Sequence, residues 1–134
     1  MDTRELINYW IETSDRDYAT MHNLYQSGDY HWALFMGHLV LEKLLKACYV
    51  TTTGNHAPRI HDLLRLAETS QLQIDEKMAD HLDIITTFNI SARYPDFKQT
   101  FYKKCTRDFA YENIRRIEEV RMWLKAILQT LPEK

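Results

Sequence analysis

Apolar positions along the chain recur every three or four residues over long stretches and rarely alternate, which predicts helices rather than strands. From Thr3 to about Gln26, Leu6, Tyr9/Trp10, Thr13, Tyr18, Met21 and Leu24/Tyr25 form one amphipathic stripe. Ser27-Gly28-Asp29 then supplies a stop glycine followed by an N-capping aspartate, so a second helix is expected to return antiparallel beside the first. That helix is predicted from about Tyr30 to Val50. Ala33, Met36/Gly37, Val40, Leu41, Leu44, Ala47 and Cys48 share one face, and Leu34, Phe35, Leu39 and Leu45 add another. A helix about 30 Å long and apolar round most of its circumference belongs at the centre of its domain. Only Glu42, Lys43 and Lys46 interrupt it, with Glu42 and Lys46 at ion-pair spacing, and this strip is expected to face solvent, a partner or a site.

The run Thr51–Pro58 joins β-branched residues to a glycine and a proline and predicts a loop. A short helix from about Arg59 to Ser70 follows, with Ile60, Leu63, Leu64 and Ala67 on its apolar stripe. The next, from an N-capping Asp75 to Phe88, carries Met78, Leu82, Ile85 and Phe88. The period lapses between Asn89 and Cys105, where Pro95 drives Tyr94 out of the helical region, so a kinked or open segment is expected. A last helix from about Thr106 to Leu131 turns Phe109, Ile117, Val120, Leu124, Ile127/Leu128 and Leu131 inward. There is no fixed-period repeat or low-complexity tract. The expected fold is all-α: one domain over residues 1–134, an antiparallel up-and-down bundle of about five helices.

Composition agrees. Three glycines and three prolines in 134 residues leave little turn material, so the length must go into a few long elements. A net charge of −2 gives no global pull towards nucleic acid or membrane, and any such binding needs a local basic patch. Cys48 and Cys105 lack disulfide or metal-ligand spacing and read as buried, reduced thiols. With no leader-like start and no run of about 20 apolar residues, a cytoplasmic location is expected and no membrane association.

Six histidines invite a metal or nuclease reading. His22, His31 and His38 show no ligand spacing to a carboxylate and read as surface or interface groups, so no metal site is expected. His61-Asp62 falls in the predicted first turn of the third helix, where a carboxylate caps. Arg16 and His22 have the interval of an arginine–histidine ribonuclease motif, but six residues on one helix point them about 240° apart. At Arg93-Tyr94-Pro95-Asp96 a guanidinium, a phenol and a carboxylate gather at a break in regular structure. Two readings stay open there: Arg93 and Tyr94 binding a phosphate-bearing ligand, or Asp96 pairing with Arg93 while Tyr94 packs. No P-loop, dinucleotide fingerprint or nucleophile elbow is present in the sequence.

Asp17, the run GDYHWALFMGHLVLEKLLKA (28–47), IHDLLRLA (60–67) and SARYPDF (91–97) together make the chain resemble the HEPN domain, the higher eukaryotes and prokaryotes nucleotide-binding family. Glu42-Lys43, Lys46-Ala47 and His61-Asp62-Leu63 are the most specific parts, and the likeness spans nearly the whole chain. The resemblance implies a helical bundle, commonly a homodimer, often encoded beside a minimal nucleotidyltransferase in a toxin–antitoxin-like pair. Many members are metal-independent ribonucleases with Arg-(four to six residues)-His near the start of the last long helix. Here no histidine follows His81, so that chemistry lacks its imidazole.

The expected function is therefore a nucleotide-binding or nucleotidyltransferase-partner module with no cofactor beyond a possible nucleotide ligand. Candidate contacts are Arg93, Tyr94, Asp96, Lys46, Glu42, Lys43, His61 and Asp62. A ribonuclease acting on RNA through an unconventional Arg/His pair and a purely structural dimerisation scaffold are the alternatives.

Overall fold

The computed structural model describes residues 1–134 apart from the side chain of Pro95. Among the described residues there are six helices and no strand: α1 Thr3–Gln26, α2 Tyr30–Thr53, α3 Leu63–Thr69, α4 Glu76–Arg93, α5 Pro95–Lys104 and α6 Arg107–Thr130. No described helix is long and apolar enough to cross a membrane.

α2 is the hub, packed by α1 along its length and by α3, α4 and α6. Leu34, Val40, Leu41, Leu44, Leu45 and Cys48 are fully buried on it, facing Met21 of α1, Leu82 and Ile85 of α4, and Ile117 and Leu124 of α6. Truncating any such leucine to alanine costs about 2–5 kcal/mol. Gly37 sits where three helices meet: a Cβ there would overlap Ile117 Cδ1 and lie 3.2 Å from Met21 Sδ. Buried Ser14 of α1 donates to the Val40 carbonyl at 2.8 Å, satisfying a hydroxyl inside the seam. Cys48 and Cys105 are free and buried, and burial pushes their thiols up to about 12 and about 11.

Local chemistry sets the ends. Asp2, Asp62, Asp75 and Thr106 each accept the backbone N–H three residues on, capping α1, α3, α4 and α6. At the α1–α2 turn, Gly28 has φ +85°, and the Gly28 and Asp29 amides donate to the Tyr25 and Leu24 carbonyls, the double closure that a left-handed glycine permits.

Three expectations need correction. The count is six helices, because the stretch Asn89–Cys105, expected to be kinked or open, is kinked: α4 runs on to Arg93, and after Tyr94 (φ −100°, ψ 132°) α5 starts with proline in its first turn. Proline excludes α geometry only from the residue before it, so the segment breaks for one residue and resumes. α3 begins at Leu63, which leaves His61 in the preceding loop rather than in the helix. α2 extends to Thr53, stopped by the left-handed Gly54.

Candidate functional site

The strip expected to meet solvent, a partner or a site is folded inward. Glu42 is 5% and Lys46 8% exposed, and Glu42 has two close partners, His61 Nδ1 at 2.7 Å from Oε1 and Lys46 Nζ at 3.2 Å from Oε2, while His38 Nδ1 lies 3.9 Å from Oε1. His38 is wholly buried rather than on the surface, and its Nε2 donates to the His61 carbonyl at 2.9 Å. The proton therefore sits on Nε2, leaving Nδ1 a lone pair without a hydrogen-bond partner. Burial holds His38 below the ordinary histidine range, against the opposing pull of the His61 carbonyl and the Glu42 charge. Lys46 also lies 5.2 Å from the Trp10 ring centroid. This cluster fastens the loop between α2 and α3 onto α2, and its carboxylate is already satisfied. Lys43 pairs with Asp17 at 2.5 Å across the α1–α2 seam, and Asp62 caps α3. Five of the eight candidate contacts are thus committed to holding the fold.

The other three lie along the edge of α2 and α5. Arg93 stacks its guanidinium 5.0 Å from the Phe35 centroid and donates from Nε to Asn89 Oδ1 at 2.8 Å. Tyr94 and Asp96 are exposed, and no Arg93–Asp96 ion pair forms among the described residues. From Arg93 the row continues without a gap: Phe35 to Trp32 at 5.9 Å, Trp32 to His31 at 4.9 Å, His31 to Tyr102 at 5.1 Å, with Lys98 5.3 Å above Trp32. His31 is held below its usual range by burial and by the Lys98 charge, so near neutral pH it enters the row as an uncharged ring. At the Tyr102 end a concavity of about 340 Å³ opens between the α1–α2 turn and the end of α5.

Charge sets this face apart. Residues 93–107 hold Arg93, Lys98, Lys103, Lys104 and Arg107 against a single carboxylate, Asp96, in a chain whose net charge is −2. Among the described residues none of these five cations makes an ion pair; Lys104 lies over the Phe109 ring instead. Sequence reasoning found Arg93 and missed His31, Trp32, Lys98 and Tyr102. The usable signal was a local cation count over 93–107 together with the i, i+4 spacing of Lys98 and Tyr102.

A larger, open cleft of about 890 Å³ lies along α6 between α1 and α4. Many of its charges are engaged: Lys77 and His81 bind Glu119 at 2.9 and 2.6 Å, Tyr18 donates to Glu118 at 2.8 Å, Arg121 covers the Tyr18 ring at 3.8 Å, and Arg115 bonds the Tyr111 hydroxyl. Hydrogen bonds from Lys77 and His81 hold the Glu119 carboxyl below its usual range. Arg116 donates to His81 Nδ1 at 3.0 Å, which puts the imidazole proton on Nε2 facing Glu119. Arg16 and His22, the pair with motif-like spacing, do not converge: Arg16 is exposed and His22 lies 3.4 Å from Glu118.

The crystal structure of TT1696 from Thermus thermophilus superposes with a TM-score of 0.77 at 19% identity, over 90% of this chain and 96% of that one. At that identity the likeness shows a shared fold. A comparison with curated proteins gives no match. The model of the HEPN domain matches residues 7–127, nearly the whole bundle including the Glu42 cluster and the α2/α5 face, and the chain belongs to the HEPN domain family.

Proposed function

We propose that this HEPN domain is a nucleotide-binding module whose ligand lies on the α2/α5 face. One observation carries the proposal: cations without ion-pair partners stand beside aromatic rings that are open to solvent. Trp32 is 37% and Tyr102 60% exposed, with Lys98, Lys103 and Arg93 alongside. A nucleotide needs both partners, a positive charge for phosphate and a ring face for the base, and base–aromatic stacking alone is worth about 1–3 kcal/mol. The α6 cleft is larger, but Lys77 and Arg121 there are paired with Glu119 and Asp15, Arg116 is held by His81 and Asn113, and Arg115 stands among Glu112, Glu118 and Glu119, so phosphate would enter beside several carboxylates.

The activity proposed is recognition rather than turnover. His81, the imidazole that an arginine hydrogen-bonds among the described residues, has both nitrogens engaged, and taking a proton from a ribose hydroxyl would require breaking one of those bonds. A minimal nucleotidyltransferase partner in a toxin–antitoxin-like pair and a homodimer belong to the same proposal. The first would handle the same class of compound, and exposed Ile90, Tyr94 and Phe97 offer apolar area for the second.

Calorimetric titration of the purified chain with ATP, GTP, CTP and UTP at low salt tests the reading. Saturable binding that weakens as salt rises is expected, and no heat with any of the four overturns it.

A further inference from the structure

The concavity at the end of the aromatic row holds one group that the phosphate and stacking arguments leave unused, the carboxylate of Asp29. We infer that this pocket reads guanine, with Asp29 accepting from the Watson–Crick edge of a base packed against Tyr102 and His31. The inference rests on the nucleotide reading and names the base.

The cavity comes first. Its volume of about 340 Å³ reaches the lower end of small-molecule sites, about 300 Å³, and suits a nucleoside rather than an extended cofactor. Tyr102 and His31 provide its aromatic wall, Lys103 a cation for the phosphate side, and Asp29 the acceptor. The backbone fixes where that acceptor stands. Left-handed Gly28 and the Asp29 amide bonded to the Leu24 carbonyl at 2.9 Å lock the turn.

Asp29 is also free of the work its position usually does. It occupies the N-cap of α2 with φ −87° and ψ 65°, and its side chain accepts no capping bond. The Ser27 hydroxyl donates to Oδ2 at 2.6 Å, which orients the carboxylate and leaves Oδ1 open. Among the described residues it makes no ion pair, although Lys103 lines the same cavity.

The chemistry of the base edges then selects. An ionised carboxylate only accepts hydrogen bonds, through two oxygens side by side. Guanine presents two adjacent donors, N1–H and the N2 amino group, which such a carboxylate takes together. Adenine and cytosine set a ring-nitrogen lone pair beside their amino group, and uracil flanks its one N–H with two carbonyls, so each would place an acceptor against the carboxylate. Hypoxanthine keeps N1–H and loses the amino group.

The test is titration of the full chain with GMP, IMP, AMP and XMP at one fixed ionic strength, for the natural sequence and for Asp29→Asn. GMP is expected to bind about tenfold more tightly than IMP, which loses one charge-assisted hydrogen bond, and AMP to bind more weakly than IMP, because its ring lone pair faces the carboxylate. Asp29→Asn should lose the preference for GMP and gain one for XMP, whose C2 carbonyl accepts from the new amide. Because Asp29 is exposed and caps nothing, circular dichroism should show the variant folded. AMP binding as tightly as GMP, or Asp29→Asn leaving the GMP affinity unchanged, overturns the guanine inference and leaves nucleotide binding standing. Absence of binding by all four overturns both.

Discussion

His61 Nδ1 lies 2.7 Å from Glu42 Oε1, so an imidazole half open to solvent closes over a carboxylate that is almost wholly buried. Removing the carboxylate strands the Lys46 ammonium, 8% exposed, with no acid beside it. Glu42→Ala should therefore cost about 3–5 kcal/mol. His61→Ala, which leaves Glu42 its lysine, should cost about 1 kcal/mol. Urea unfolding midpoints read both, and a Glu42→Ala variant as stable as the natural chain would show that the cluster does not hold the fold.

His38 gives the bundle a pH dependence of known sign. Its folded-state proton affinity lies below the unfolded one, so the unfolded chain binds more protons as pH falls. The contribution is intact above the ordinary histidine value of about 6.5 and is lost as pH drops from there towards the folded value. The slope from one such group is at most about 1.4 kcal/mol per pH unit. His31 shifts in the same direction and adds to it. His38→Gln, which can still donate to the His61 carbonyl, should flatten the loss of thermal midpoint between pH 7 and pH 5. An unchanged profile would locate the acid sensitivity elsewhere.

Lys98 above Trp32 is the contact most exposed to a change of charge. Lys98→Glu should weaken nucleotide binding about tenfold and reduce its salt dependence, because an attraction becomes a repulsion at close range. Lys77→Glu, in the α6 cleft, should leave the affinity within about twofold, since mutations far apart act independently. Equal loss from the two variants would move the ligand off the α2/α5 face. Quenching of Trp32, judged against Trp32→Phe, follows the same binding by a second signal.

Gly37→Ala should destabilise by about 1–3 kcal/mol through overpacking, since Ile117 has to leave its rotamer to make room for the added methyl. Pairing it with Ile117→Val should recover part of the loss. If Gly37→Ala is neutral, the approach of α1, α2 and α6 is looser than its geometry implies.

Most of the fold was legible because its signals are local. Asp75 as a cap, the Gly28 stop and the apolar circumference of α2 each follow from a few neighbouring residues. Glu42 and Lys46 misled for the opposite reason. Charge on a helix reads as a solvated face, but His61, 19 positions along the chain from Glu42, closes over that carboxylate, and Lys46 lies against the Trp10 ring of α1. The candidate site was half visible. Arg93 and Tyr94 stand at a break that proline announces, but their neighbours Trp32 and His31 come from a helix whose periodicity speaks only of core. The row of rings exists only once α5 lies beside α2, a relation between distant segments that no window of sequence contains.

Tyr94, extended between two helices, decides where α5 goes. Without a proline at position 95 to exclude it, Tyr94 could take α geometry and α4 and α5 would fuse into one straight rod. Lys98 and Tyr102 would then project past the end of the bundle, far from Trp32. The proposed ligand face is in this sense made by an interruption: one proline folds a free-standing helical extension back into a wall.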